Sequence, residues 1–125
     1  MKHNIKTKEI FLTPAISDYL EKRIAHLDKF VSPENKETIM CYVEIGKTTN
    51  HHKNGDLFKA ELTIHIGSKS FQVISEKEDL YTAIDMATEE MSEELKSFKE
   101  KKISLIRKSG AKIKSLIKGL YETDR

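Results

Sequence analysis

Tryptophan is absent from these 125 residues, which include one cysteine, two prolines and five glycines, and no apolar run is more than a few residues long. Each shortage excludes something. The single Cys41 cannot close an internal disulfide and leaves no cysteine-rich zinc site. No stretch is long and apolar enough for a transmembrane helix. The first residues, Met1 to Lys6, alternate polar and apolar character with no hydrophobic core segment, so no signal peptide is expected and a reducing cytoplasm fits best. With 38% hydrophobic residues the chain is too apolar to stay disordered. Its length suits one domain with at most an appendage.

Charge is abundant, at 34% of residues, and the net +2 conceals how it is distributed. Residues 76–95 set one lysine against eight carboxylates, a net −7. Residues 96–118 set nine cations against Glu100 alone, a net +8. Such segregation bears on partners, not on fold.

The hydrophobic pattern predicts the elements. Residues 3–8 alternate and read as a first strand running into Glu9–Leu12. Thr13 can cap a helix that Pro14 opens, and Ile16, Leu20, Ile24, Leu27 and Val31 form its apolar stripe until Ser32-Pro33 ends it. Ile39 to Ile45 alternates as a second strand; the polar segment Gly46 to Asp56, with the turn dipeptide Asn54-Gly55, reads as a long hairpin connection. Phe58 to Ile66 is the clearest strand, and Gly67-Ser68-Lys69 turns the chain into a fourth, Phe71 to Ile74. From Asp79 the period becomes helical through Leu80, Ile84, Ala87, Met91, Leu95 and Phe98, continuing toward Arg107 with a break at Ser109-Gly110. The expected fold is α+β, a two-layer sandwich in the order β-α-β-β-β-α, with a four-stranded sheet and two helices on one face. The first two strands, separated by a helix, are expected to be parallel or joined by a crossover. Residues 1–102 form the domain, and residues 103–125 a basic amphipathic C-terminal extension.

Catalytic patterns are missing. There is no glycine-rich phosphate loop, nucleophile elbow or zincin helix. Cys41 falls on the apolar side of its strand and reads as a packed thiol. His51 and His52 with Asp56 offer metal-ligating atoms, but adjacent histidines in an extended segment point apart and lack a third partner. Glu89, Glu90, Glu93 and Glu94 read as a solvated helix face. No enzyme, cofactor, metal or small-molecule substrate is expected.

Cations are the informative residues. Lys22 and Arg23 lie off the buried stripe of the first helix, Lys29 lies near its end, and Lys96, Lys99, Lys101 and Lys102 crowd the later part of the second. The helix dipole accounts for some lysine there, but not for nine cations in 23 residues. Phosphate neutralisation is the usual employment of such a cluster, favoured by composition only modestly over a solvated tail or an acidic protein partner.

Three stretches resemble the ribosome hibernation promoting factors, also called ribosome-associated inhibitor A. They are Asn4 to Lys8 with Leu12–Ile16, Tyr19–Ile24 and Leu27–Phe30; the strand Phe58–Ile64; and, most specific, Glu78-Asp79-Leu80-Tyr81-Thr82-Ala83-Ile84-Asp85. The resemblance implies a factor bound in the decoding channel of the small ribosomal subunit, over the mRNA path and the A- and P-site tRNA positions, keeping idle ribosomes inactive. It implies rRNA contacts through Lys22, Arg23, Lys29, Lys96, Lys99, Lys101 and Lys102. Tyr81 and Asp85 belong to the signature, where packing and helix capping are the expected roles. The chain reads as a short form, without the separate C-terminal domain of long-form members. It departs from the family pattern in having Glu90, Glu93 and Ser97 where basic residues are common, which makes the middle of the second helix acidic. Two other readings compete: a general module resembling a double-stranded RNA-binding domain, and a protein-interaction domain that self-associates through its oppositely charged segments.

Overall fold

Thr13 Oγ1 accepts a hydrogen bond from Ile16 N at 3.2 Å, with Pro14 in the first helical position, so the first helix starts where its capping residues predict. In this computed structural model, which describes residues 1–33, 37–49 and 55–108, the elements are β1 (Lys2–Lys8), α1 (Pro14–His26), a 3-10 turn (Leu27–Phe30), β2 (Met40–Thr49), β3 (Asp56–Ile66), β4 (Lys69–Lys77) and α2 (Leu80–Lys108). They fall into two compact units, Met1–Leu95 and Lys96–Arg125. The first holds the sheet, α1 and α2 as far as Leu95. The second opens with the last turns of α2.

The sheet order is β1-β2-β3-β4, with β1 parallel to β2 and the other pairs antiparallel. A helix between β1 and β2 supplies the crossover that a parallel pair requires. This is the expected α+β sandwich. Cys41, Val43, Ile45, Ala60, Leu62, Ile64, Phe71 and Val73 occupy one face and are buried, as are Leu20, Ile24 and Leu27 from the α1 side and Leu80, Ile84, Ala87, Met91 and Leu95 from α2. Fully burying one such aliphatic side chain is worth roughly 1.5–3 kcal/mol, so this shared layer holds the fold together.

Several boundaries differ from the sequence expectation. The helical stripe toward Val31 is interrupted: α1 ends at His26 and tightens into the 3-10 turn, whose exit bond runs from Val31 N to Asp28 O at 3.2 Å. The β2–β3 hairpin is longer than its apolar core. Lys47, Thr48 and Thr49 pair with Phe58, Leu57 and Asp56, because the ladder is made by backbone groups whatever the side chains are. Thr48 Oγ1 donates to Leu57 O at 3.2 Å, and Lys47 Nζ meets Asp56 Oδ2 at 2.9 Å. Likewise β4 runs from Lys69 to Lys77, beyond its apolar centre. The paired histidines His51 and His52, the break at Ser109-Gly110, and the stretch with Ile113, Leu116, Ile117 and Leu120 lie outside the described residues.

Gly46 stands in register with Lys8 at the end of the β1–β2 ladder: a Cβ there would come within 2.8 Å of Lys8 O. Just beyond, Glu9 at φ 61° turns the chain out of β1, the one non-glycine at positive φ among the described residues.

Candidate nucleic-acid interface

Asp79 starts α2. Its Oδ2 accepts from Thr82 N at 2.9 Å and from Thr82 Oγ1 at 3.0 Å, so the N-cap of the signature stretch is Asp79. Asp85 has a different task from the capping expected of it: its Oδ1 accepts a hydrogen bond from the Tyr19 hydroxyl of α1. That bond, helped by burial, raises the Tyr19 phenol above its ordinary pKa. Tyr81 packs as expected, with its ring edge-on to Tyr19, centroids 4.9 Å apart and planes at 87°.

The predicted cations divide into distinct environments. Arg23 Nε donates to Thr88 Oγ1 at 3.2 Å and forms an ion pair with Asp85 Oδ1, also at 3.2 Å. Thr88 is buried, and its hydroxyl donates back to Ile84 O at 2.9 Å. Arg23 therefore bridges α1 and α2 with its charge already matched by a carboxylate. Lys22, two residues after Leu20 and so about 200° around the helix from the core, is exposed and makes no ion pair among the described residues. Lys29 is exposed on the 3-10 turn, with Nζ 5.5 Å from the Phe30 ring centroid. In the second unit Lys96, Lys99, Lys101 and Lys102 are exposed along α2, and Lys96, Lys99 and Lys102 follow one another at three-residue steps along one ridge. Within the first unit Glu89, Glu90, Glu93 and Glu94 are exposed on α2.

A second group of cations did not stand out in the sequence. The open face of the sheet carries Lys2, Asn4, Lys6 and Lys8 on β1, in register with Met40, Tyr42, Glu44 and Gly46. The signal was the strict alternation of residues 2–8, which places these side chains together only once the strand is known to be an edge.

The Cys41 thiol is buried, and burial pushes it up to about 12, far from the thiolate a nucleophile needs. Among the described residues no cluster of three His, Cys, Asp or Glu could hold a metal ion, and no helix is long and apolar enough to cross a membrane.

Comparison with known proteins agrees with this geometry. Residues 3–103 match the family model described as Sigma 54 modulation protein / S30EA ribosomal protein. The chain is 27% identical over 120 residues to a ribosome hibernation promotion factor of Bacillus subtilis, covering 96% of this chain and 60% of that one. It is 28% identical over 103 residues to a ribosome hibernation promoting factor of Azotobacter vinelandii, covering 82% and 87% respectively. The chain thus spans less than two thirds of the Bacillus protein and most of the Azotobacter one. Among solved structures, the Protein Y N-terminal domain of Thermus thermophilus superposes with a TM-score of 0.61 at 29% identity, covering 78% of this chain and 99% of that one. A ribosomal subunit interface protein of Coxiella burnetii shares the fold with the same TM-score at 14% identity. With four-fifths of its length matched in one continuous stretch, this chain belongs to the Sigma 54 modulation protein / S30EA ribosomal protein family.

Proposed function

We propose that this protein is a non-catalytic, cytoplasmic stress factor that binds the small ribosomal subunit in its decoding channel, blocks mRNA and tRNA there, and keeps idle ribosomes inactive. The observation that carries the proposal is the match of residues 3–103 to a family described as containing a ribosomal protein, over a fold with exposed cations on its helices. Lys22 and Lys29 in the first unit, and Lys96, Lys99, Lys101 and Lys102 in the second, are the groups assigned to rRNA phosphates. Arg23 is assigned with them, its guanidinium held in place by Asp85 and leaving its remaining N–H groups to face phosphate. Glu90 and Glu93 weaken the middle of the same helix for this purpose, and the cations from Lys96 onward compensate.

Co-sedimentation with purified small subunits, with duplex RNA as competitor, tests the reading. Retention against excess duplex supports a ribosomal site. Loss to the competitor would indicate a general RNA-binding module.

The −7 and +8 segments favour one other reading, pairing between copies of the chain. It predicts a homodimer without RNA that dissociates as salt rises.

A further inference from the structure

The helices cover one face of the sheet, and the opposite face carries features that helix-borne phosphate contacts do not use. Tyr42 on β2 and His65 on β3 lie on the two central strands, their ring centroids 6.2 Å apart and planes at 64°. Tyr42 is 47% exposed, and His65 is exposed and held by a 2.7 Å hydrogen bond between Nδ1 and Ser70 Oγ. Cross-strand aromatic pairs stabilise sheets, but a pair left this open still offers ring surface to a ligand. Beside it runs a shallow groove of about 140 Å³ lined by Asn4, Lys6, Tyr42, Glu44, Glu61 and Thr63. Along the β1 edge Lys2, Lys6 and Lys8 share this face, are exposed, and make no ion pair among the described residues. Side chains two residues apart on a strand repeat at about 6.6 Å, so Lys6 and Lys8 can meet successive groups of an extended polyanion.

Two carboxylates also face the groove. Glu44 stands directly opposite Glu61 across β2 and β3, an arrangement that costs stability unless something compensates. Glu61 is matched by Lys59 Nζ at 3.3 Å and by Gln72 Nε2 at 2.8 Å. Glu44 has Lys6 as its β1 neighbour in register, yet no ion pair joins them. A carboxylate next to a stacking surface suits an exocyclic amino group, the donor that cytosine presents through N4 and uracil lacks.

We propose that the helix-free face of the sheet is a second nucleic-acid surface, taking single-stranded RNA with a base stacked flat on the Tyr42 ring and bordered by His65, phosphates along Lys2, Lys6 and Lys8, and a base amino group on Glu44. Four-stranded sheets use an open aromatic-bearing face in this way, because stacking accepts any base while edge groups select among them. The row of cations on the β1 edge beside the Tyr42–His65 pair favours RNA over a protein occupant, although Ile74 on β4 is also exposed on this face. This surface is distinct from the helix cations and does not depend on where the chain sits on a ribosome.

The test is fluorescence anisotropy of labelled oligocytidine and oligouridine, each of about twelve nucleotides, with the full chain. Oligocytidine is expected to bind more tightly than oligouridine. Tyr42→Ala with His65→Ala should weaken oligocytidine binding about tenfold while leaving the circular dichroism spectrum and small-subunit co-sedimentation unchanged. Lys6→Glu with Lys8→Glu should weaken it as well and reduce its salt dependence. Wild-type affinity in both variants, equal affinity for the two oligonucleotides, or a homodimer that Tyr42→Ala disperses would each overturn the proposal.

Discussion

Arg23 of α1 and Asp85 of α2 face each other at 3.2 Å, and the same carboxylate oxygen accepts the Tyr19 hydroxyl. One acid of the signature stretch thus gathers two side chains of the neighbouring helix. Adjacent residues Lys22 and Arg23 consequently differ in what the fold asks of them, the first facing solvent alone and the second also tying the helices.

The two are separable by mutation. Arg23→Ala removes a charge-assisted contact and leaves Asp85 with Tyr19 alone; it should cost about 1 kcal/mol, a modest loss because both side chains are partly exposed. Lys22→Glu should leave the thermal midpoint unchanged and still weaken small-subunit binding. Parallel thermal unfolding and co-sedimentation of the single variants checks this; a stability loss for Lys22→Glu equal to that for Arg23→Ala contradicts it.

Gly46 is a position where volume decides. A methyl group there meets the Lys8 carbonyl at 2.8 Å, a backbone atom that cannot swing aside, so Gly46→Ala should destabilise by roughly 1–3 kcal/mol. Urea denaturation measures the loss. An unchanged midpoint would mean that β1 can move away from β2 without penalty.

The period-two and period-3.6 patterns carried most of the architecture, because the alternation from Ile39 to Ile45 and from Phe58 to Ile66 records which side chains face the helices. Strand ends were less legible. Lys47–Thr49 and Ser75–Lys77 join their ladders through backbone bonds that leave no trace in side-chain polarity. The cations could be picked out from composition, but their partners could not. Arg23 and Asp85 are 62 positions apart, and only the packing of α1 beside α2 pairs them. The open-face lysines were hidden for a related reason, since Lys2, Lys6 and Lys8 become a row only when β1 takes its place at the sheet edge.

Alkaline pH should destabilise the protein through Cys41. Its thiol titrates near 9.0 when unfolded and is pushed up to about 12 by burial. Between those values the unfolded chain releases a proton that the folded chain retains, so stability falls with rising pH, by on the order of 4 kcal/mol if the whole interval is crossed. Cys41→Val should remove that share of the pH dependence, seen as a flatter plot of denaturation midpoint above pH 9. An identical slope in the variant would contradict the assignment.

The acidic part of α2 provides a directional test of the rRNA-facing side. Glu90→Lys with Glu93→Arg should tighten small-subunit binding and steepen its salt dependence, each added phosphate contact contributing about 0.7–0.9 to the slope. Weaker binding would mean that this face meets a basic surface instead of RNA.

Cations of this chain are proposed to hold it in the mRNA and tRNA path of the small subunit. The most direct test is the affinity of the full chain for purified small subunits across a salt series, repeated with mRNA and tRNA already bound. The log affinity is expected to fall linearly with log salt, and bound mRNA and tRNA are expected to displace the chain. Salt-independent binding, or undiminished binding to subunits already carrying both ligands, would contradict it.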